Sequence, residues 1–115
     1  MADKIPGGLS IANEVIADLV GHVALECYGV VGMAAPTLQD GVAKLLPRQR
    51  LRRGIQVETG EKGARIDLYV VIEFGTNIAT VCKNLRDQVA FTLKDYAELP
   101  IESIEIHVMD VKVRD

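Results

Sequence analysis

Residues 64–74 carry the clearest structural pattern of the chain and read Ala64-Arg65-Ile66-Asp67-Leu68-Tyr69-Val70-Val71-Ile72-Glu73-Phe74. Apolar and polar side chains alternate along this segment, which is typical of a strand with one buried face. The side chains predicted to face the core are Ile66, Leu68, Val70, Ile72 and Phe74. The side chains predicted on the other face, which is wet or covered by a partner, are Arg65, Asp67, Tyr69, Val71 and Glu73.

A helix and a last strand follow this segment. A short loop ends in Asn77, whose side chain is a predicted N-cap. The helix after it is expected to continue to residue 96 or 97, with an apolar stripe formed by Ile78, Val81, Cys82, Leu85, Val89 and Leu93. Pro100 separates the helix from the last strand, whose predicted core-facing side chains are Ile104, Ile106 and Val108. The apolar parity then changes, so a bulge or a strand end is expected near Met109.

The residues just upstream predict a hairpin with the strand at 64–74. Residues 55–59 alternate strictly, and Gly60-Glu61-Lys62-Gly63 is a glycine-bracketed turn between the two runs. The same four residues match the GxxG loop of KH-type RNA-binding domains. In those domains the loop connects helices, whereas here it joins two strands and carries Glu61, which repels phosphate. We therefore interpret it as a hairpin turn.

The N-terminal third predicts one long helix and two short elements. The helix is expected to run from an N-cap at Ser10 to about Tyr28, after which Gly29 suits the left-handed stop position. A short strand is predicted at residues 30–35. One or two helical turns are predicted at residues 39–46.

The resulting order of elements is helix, strand, hairpin, helix, strand. A crossover through the second helix makes its flanking strands parallel, whereas the hairpin strands are antiparallel. We predict an α+β fold, a two-layer sandwich in which a mixed sheet of three to four strands carries two main helices on one face. Residues 1–8 are expected to form a flexible tail, and residues 9–115 a single domain.

Composition limits the classes of function. The chain has 115 residues, 49% of them hydrophobic, and a net charge of −3, which gives no overall attraction to nucleic acid or anionic lipid. The N-terminus has no apolar core, and no run approaches the ~20 apolar residues of a membrane span. Cys27 and Cys82 form no CxxC motif and are interpreted as free thiols of a protein in the reducing cytoplasm.

Three segments carry a family resemblance. The first reads SIANEVI at residues 10–16, with YGVVGM at residues 28–33. The second reads RGIQVE at residues 53–58. The third reads DLYVVIEFGTNI at residues 67–78 and closes with IEIHV at residues 104–108. In order and spacing these segments resemble the alkaline-shock and Gls-type envelope stress family of Gram-positive bacteria, which includes YloU-like members.

The resemblance implies a role without catalysis. Proteins of this family are cytoplasmic, tend to self-associate, and are linked to cell-envelope homeostasis under stress. Some are held beneath the cell membrane by a small membrane-anchored partner protein. The resemblance therefore implies a homo-oligomer that is peripheral at the inner face of the membrane, and it supplies no catalytic residues to carry over.

A cluster of four arginines, which we call the arginine run, is the sharpest local feature: Arg48, Arg50, Arg52 and Arg53. Such a cluster can grip phosphate groups of RNA or of anionic lipid. It can equally be a solvated connector, or it can pair with acidic residues of a neighbouring subunit. No aromatic residue is interleaved with it, so a stacking platform for single-stranded nucleic acid is poorly supported. A small RNA-binding module is therefore the alternative to an interaction protein.

The sequence predicts no metal, cofactor or catalytic site. His22, Cys27, Cys82 and His107 are four nominal zinc ligands, but the first two lie about 140° apart around a helix and do not share a face. Asp67, Glu73 and Glu105 are expected on the outer face of the sheet, where solvated charges are common. No side chain has a recognisable nucleophile setting.

The outer face of the sheet is the predicted contact surface. Tyr69, Val71 and Met109 lie among Asp67, Glu73 and His107, which is the composition of an apolar interface centre with a charged rim. An ordinary sheet face with scattered apolar side chains is the alternative. We predict that these three residues provide packing contacts and that the arginine run provides electrostatic contacts.

Overall fold

The computed structural model describes residues 6–36, 44–97 and 100–114. Its elements are α1 (Pro6–Glu26), β1 (Val30–Met33), a 3₁₀ segment (Arg48–Gly54), β2 (Ile55–Gly60), β3 (Gly63–Glu73), α2 (Ile78–Thr92), a π-helical turn (Leu93–Ala97) and β4 (Ile101–Lys112). The order matches the prediction, and helical structure after Asn77 extends to Ala97 as expected. The 3₁₀ segment replaces what the sequence indicated only as a connector.

The strand β3 lies at the centre of the sheet. β4 runs parallel along one edge of β3, with Leu68 opposite Ile106. β2 and β1 are both antiparallel to β3 and share its other edge, with Ile55 opposite Leu68 and Val30 opposite Ile72. The predicted mixed sheet of an α+β fold is therefore confirmed, including the parallel pair on either side of α2.

Both helices pack on one face of this sheet. The four side chains of β3 from Ile66 to Ile72 that face the helices are fully buried. They form one cluster with Val20 and Ala24 of α1 and with Leu85 and Val89 of α2. The core is almost entirely aliphatic, so it is stabilised by burial of branched side chains, each contributing on the order of 2 kcal/mol.

Three local signals were read correctly. Asn77 caps α2, because its Oδ1 accepts a hydrogen bond from the Thr80 N–H at 3.0 Å. Gly29 has a φ of +91° and ends the turn after α1 in the left-handed conformation. The predicted irregularity near Met109 is a bulge, since Val70 pairs with Val108 whereas Val71 pairs with Asp110.

The predicted start of the first helix is wrong. α1 begins at Pro6, so Ser10 lies inside the helix and is not its N-cap. Proline is favoured at the first helical position, because its φ suits the helix and its missing N–H would have no intrahelical partner there. Of the predicted tail, residues 1–5 lie outside the described residues, and residues 6–8 belong to α1.

The predicted helical turns at 39–46 are wrong where the structure describes them. Residues 39–43 lie outside the described residues. Leu45 forms an antiparallel bridge with Ala34, and the N–H of Leu46 donates to the carbonyl of Met33 at 2.8 Å. The chain therefore returns alongside β1 in an extended conformation, which satisfies backbone groups that β1 would otherwise leave unpaired.

The prediction that Phe74 belongs to the core is also wrong. Its side chain is 68% exposed, although Ile72 before it is fully buried. β3 ends at Glu73, and Gly75 turns the chain with a φ of +95°. Phe74 continues the alternation of β3 beyond the part of the sheet that the helices cover.

Candidate interaction surfaces

The sheet face opposite the helices is the first candidate surface, and we call it the open face. It carries Arg65, Asp67, Tyr69, Val71 and Glu73 of β3, with Glu105 and His107 of β4. The parallel register sets Asp67 opposite Glu105 and Tyr69 opposite His107. The alternation in the sequence therefore correctly predicted that these side chains share one face.

An aromatic pair lies in the middle of the open face. The rings of Tyr69 and His107 stack with centroids 4.5 Å apart and planes within 10° of parallel. His107 Nε2 lies 2.9 Å from Asp67 Oδ1, the distance at which an imidazole N–H donates to a carboxylate. The side chains of His107 and Asp67 are 41% and 31% exposed, so a partner could reach this group.

The part of the open face around Val71 is partly covered by the chain itself. Val71 is fully buried in a small cluster with Ala34, against which Val31 and Met109 pack. A Cβ on Gly32 would lie 2.9 Å from Leu45 Cδ2, so the Leu45 side chain lies directly over Gly32. The structure thus brings Val71 and Met109 together as predicted, but it places Val71 beneath the surface and leaves Met109 half-buried.

The charges around the open face are largely paired within the chain. Ion pairs join Arg65 to Glu58 at 3.5 Å, Arg114 to Glu73 at 3.2 Å and Lys112 to Asp110 at 3.3 Å. The Val111 N–H donates to the Asp110 carboxylate at 2.7 Å. This hydrogen bond, with a smaller contribution from Lys112, lowers the pKa of Asp110.

The arginine run lies elsewhere, against α1. Arg52 makes a forked contact with Asp18, with Nε to Oδ1 at 2.7 Å and Nη2 to Oδ2 at 3.2 Å, and its Nη1 lies 3.5 Å from Glu14 Oε1. The hydrogen bond to Asp18 raises the pKa of the Arg52 guanidinium. Arg48, Arg50 and Arg53 are exposed. The structure therefore separates the arginine run from the Tyr69 pair and engages one of its four members with α1.

The described residues show no clustering of metal ligands. Among them, no three His, Cys, Asp or Glu side chains lie close enough together to hold a metal ion. Cys27 is buried and Cys82 half-buried, and both are free thiols. Burial raises the pKa of both thiols; the neighbouring Cys82 adds to the effect at Cys27, and Arg86 opposes it at Cys82. These thiols are therefore poorly ionised at neutral pH.

A second surface was missed by sequence reasoning. Phe74 and Val113 follow the ends of β3 and β4 side by side, since the Phe74 N–H donates to the Lys112 carbonyl at 2.8 Å, and their side chains are 68% and 72% exposed. Tyr28, in the turn before β1, is 79% exposed. The alternation of β3, which continues through Phe74 after the strand has ended, was the available signal. Phe74 was interpreted as a core residue because the sequence does not show where the helices end.

No helix in the described part of the chain is both long enough and apolar enough to span a membrane.

The sequence profile of the alkaline-shock protein 23 family, described as having a cell envelope-related function, matches residues 1–113. YloU of Bacillus subtilis is 36% identical over 108 residues, which cover 93% of this chain and 90% of that protein. Spy1614 of Streptococcus pyogenes is 32% identical over 108 residues, or 93% of this chain and 89% of that protein.

Two more distant similarities, one in sequence and one in structure, agree with these matches. A Streptococcus pyogenes protein named as a stress response regulator gls24 homolog is 24% identical over 115 residues, which are all of this chain and 64% of that protein. A solved structure, the MamM CTD in its zinc form 2, superimposes with a TM-score of 0.56 at 11% identity, covering 89% of this chain and 86% of that one. At such low identity the structural similarity supports the fold alone.

Proposed function

Because the chain belongs to the alkaline-shock protein 23 family, whose described function is related to the cell envelope, we propose that it is a non-enzymatic interaction protein of the envelope stress response. In this proposal the protein is cytoplasmic, associates with copies of itself, and is recruited to the inner face of the cell membrane by a small membrane-anchored partner. The name of the relative called a stress response regulator gls24 homolog supports the link to stress.

The observation that carries the proposal is the uncovered aromatic pair of the open face. Tyr69 and His107 form a flat, half-exposed stack that needs no rearrangement before a partner docks. Preformed aromatic surfaces are favoured at interfaces because little conformational freedom is lost on binding. Tyr69 is the proposed anchor, Met109 adds contact area beside it, and Val71 supports both from beneath.

The charges of the open face support docking in preference to catalysis. Asp67 contacts His107 and Glu73 accepts a hydrogen bond from Arg114, so these two carboxylates of the open face are engaged in structural contacts. Within the described part of the chain, these carboxylates lie on a sheet surface and are not brought together in an enclosed cavity, where burial would separate their pKa values for acid and base roles. This arrangement supports the non-enzymatic part of the proposal.

The arginine run is proposed to act separately from the open face. Arg48, Arg50 and Arg53 are exposed beside α1 and would supply long-range attraction to an acidic surface of a partner. Arg52 is held by Asp18 and Glu14, so its proposed role is to fix the 3₁₀ segment against α1.

Two measurements test this function. Sedimentation equilibrium of the purified chain should show concentration-dependent association, and Tyr69→Ala should weaken it, whereas Lys62→Ala in the exposed hairpin turn should not. Affinity capture from a host lysate that contains membranes should recover a small transmembrane protein. A chain that stays monomeric at all concentrations and captures no membrane protein would contradict the proposal.

RNA binding is the alternative function, and the structure weakens its basis. The ion pairs of Arg52 leave at most three arginines of the run for phosphate contacts. Such binding would fall with salt in proportion to the number of phosphates contacted. Retention on RNA at low salt, with a salt slope that shrinks in Arg48→Ala and Arg53→Ala, would favour this alternative.

A further inference from the structure

The outer edge of β4 is the longest unpaired edge in the described part of the sheet. β4 has 12 residues, from Ile101 to Lys112, whereas strands in globular proteins have a mean of about six. Among the described residues it pairs only with β3. The edge of β1 differs, because the returning segment forms the bridge between Leu45 and Ala34 along it. The described part of the chain therefore protects one edge of its sheet and leaves β4 uncovered.

The unpaired backbone groups of this edge belong to alternate residues of β4, namely Ile104, Ile106 and Val108. The N–H groups of Ala64 and Phe74 donate to carbonyls on the β4 side at 2.9 and 2.8 Å, so alternate residues of β3, Leu68 among them, turn their backbone toward β4. In a parallel pair such a residue bonds the two neighbours of the residue opposite it. Leu68 lies opposite Ile106, so the N–H and C=O of Ile106 point away from β3.

This edge lacks the features that keep exposed strands from pairing with other chains. Natural edge strands are blunted by proline, lysine, a bulge or a short length. From Ile101 to Val108 the chain contains neither proline nor lysine. The register with β3 is uninterrupted from Ser103 to Val108, and its two irregularities lie on either side of this stretch. The stretch is therefore open to the addition of another strand.

The two sides of this stretch differ in character. On the side that faces the helices, Ile106 is half-buried and Val108 is 38% exposed, so apolar surface lies uncovered beside the edge. On the open face, the exposed Glu105 lies opposite Asp67. A strand added beside β4 would meet both sides with alternate side chains. Apolar side chains fit the helix side, and basic side chains fit the open face.

We propose that the edge of β4 accepts an extended segment of the membrane-anchored partner, in which basic side chains lie on the open face and apolar side chains on the helix side. The inference rests on the partner put forward under the proposed function, and it names the surface and the chemistry of that contact. Backbone hydrogen bonds provide affinity in such strand addition, and the alternating side chains provide specificity. Tyr69 lies one strand inward, on β3, so self-association through the open face is a separate contact.

Charge favours this segment over a second copy of β4. Cytoplasmic segments next to a membrane span carry an excess of lysine and arginine, which the acidic side chains at the edge attract. A second β4 would bring its own Glu102 and Glu105 to the edge and no lysine or arginine before Lys112. Arg65 does not offset these acids, because its ion pair is with Glu58 of β2, on the far side of β3.

NMR titration of the isotope-labelled chain with a synthetic peptide tests the inference. The probe is a short capped peptide in which lysine and valine alternate. We expect it to shift the amide signals of β4 and to slow hydrogen exchange at Ile106 and Val108, because their N–H groups become bonded. The control peptide alternates lysine and proline, which keeps the charge but disfavours strand pairing, and it should leave this exchange unchanged.

Two substitutions in the chain should each raise the dissociation constant of the lysine–valine peptide by about tenfold. Val108→Pro removes an outward N–H and no bond to β3, an arrangement in which edge strands tolerate proline, and Val108→Ala is its control. Glu105→Lys reverses the charge beside the edge. Its control is Glu61→Lys, which changes the net charge equally in the exposed hairpin turn. Circular dichroism establishes that each variant is folded.

The outcomes separate this inference from the proposed function. If a membrane protein is captured equally well by the unchanged chain, Val108→Pro and Glu105→Lys, the partner binds elsewhere, and the inference falls while the proposed function stands. Equal binding of the two peptides would show attraction by charge alone and exclude strand addition. Loss of self-association in Val108→Pro but not in Val108→Ala would assign the edge to a second copy and overturn the inference. Failure to capture any membrane protein removes the partner from the proposed function, and the inference with it.

Discussion

The phenol ring of Tyr69 lies nearly parallel to the imidazole of His107 on the neighbouring strand, with 4.5 Å between their centroids. The two residues are direct partners in the parallel register of β3 and β4. Asp67 fixes the far side of the imidazole through Nε2. The stack is therefore held by backbone pairing, ring contact and a hydrogen bond, which makes it a rigid element on an otherwise polar face.

A double-mutant cycle should detect the contact between these rings. Tyr69→Ala and His107→Ala are expected to show a coupling energy of about 0.5 kcal/mol in urea unfolding, as is usual for an aromatic cross-strand pair. Arg65 and Ser103 are also direct partners in the same register but have no ring contact, so Arg65→Ala with Ser103→Ala is the control cycle. Additive effects of the two ring substitutions would show that the stack contributes nothing to stability.

Gly29→Ala should destabilise the fold strongly. Gly29 has a φ of +91°, and a Cβ there would lie 2.5 Å from Val81 Cγ2, so the substitution introduces both backbone strain and a clash with α2. We expect a loss of about 2 kcal/mol or more in the free energy of unfolding.

Gly60→Ala is the matched control for this substitution. A Cβ at Gly60 meets no heavy atom within 4 Å. Its expected effect in denaturant unfolding is below about 0.5 kcal/mol. Equal losses in the two variants would contradict the close approach of the Tyr28–Gly29 turn to α2.

Substitutions at Ile72 and at Phe74, which the alternation places on the same face, should differ sharply in their effect on the free energy of unfolding. Ile72→Ala removes a fully buried side chain and should cost about 3 kcal/mol, because it leaves a cavity beneath the helices. Phe74→Ala removes a side chain that is 68% exposed and should cost less than about 1 kcal/mol. Chemical unfolding at low concentration, where a dimer would dissociate, provides the comparison. A large loss in Phe74→Ala would mean that the helices cover this residue after all.

Asp110→Asn should reduce the sensitivity of the fold to acid. The pKa of Asp110 is lowered in the folded state, chiefly by the hydrogen bond from the Val111 N–H and also by Lys112. The stability that it contributes is therefore present above the ordinary aspartate pKa of about 4 and is lost as the pH falls through the lower folded value.

Urea unfolding at about pH 7 and about pH 3 measures this effect. The loss of stability on acidification should be smaller in Asp110→Asn than in the unchanged chain. Glu105→Gln, on the same strand, is the control, because no hydrogen bond to its carboxylate is found within the described residues. An unaltered pH slope in Asp110→Asn would show that this carboxylate is not linked to folding.

Local pattern was sufficient for most of the architecture. The alternation of residues 64–74 placed β3 correctly, Asn77 marked the start of α2, and the parity change near Met109 located the bulge in β4. These features depend on side-chain spacing and on one or two neighbouring hydrogen bonds, which a linear sequence contains. The start of α1 was placed five residues late, because an N-cap at Ser10 starts the helix at Ile11 whereas α1 begins at Pro6. The preference of proline for the first helical position was not used in the prediction.

The sequence pattern did not show which side chains would be covered by other elements of the fold. The predicted exposure was wrong for both Phe74 and Val71. Phe74 is exposed because the helices end before they reach it. Val71 is buried because the extended segment at Leu45 helps to cover the face on which it lies. The pairing of Arg52 with Asp18, 34 residues away, likewise depends on how α1 packs beside the 3₁₀ segment. Spacing along the chain determined which face each side chain of the sheet points to, because the strand repeat is local. Which parts of those faces stay open to a partner was decided by the lengths and positions of distant elements, and therefore only by the tertiary structure.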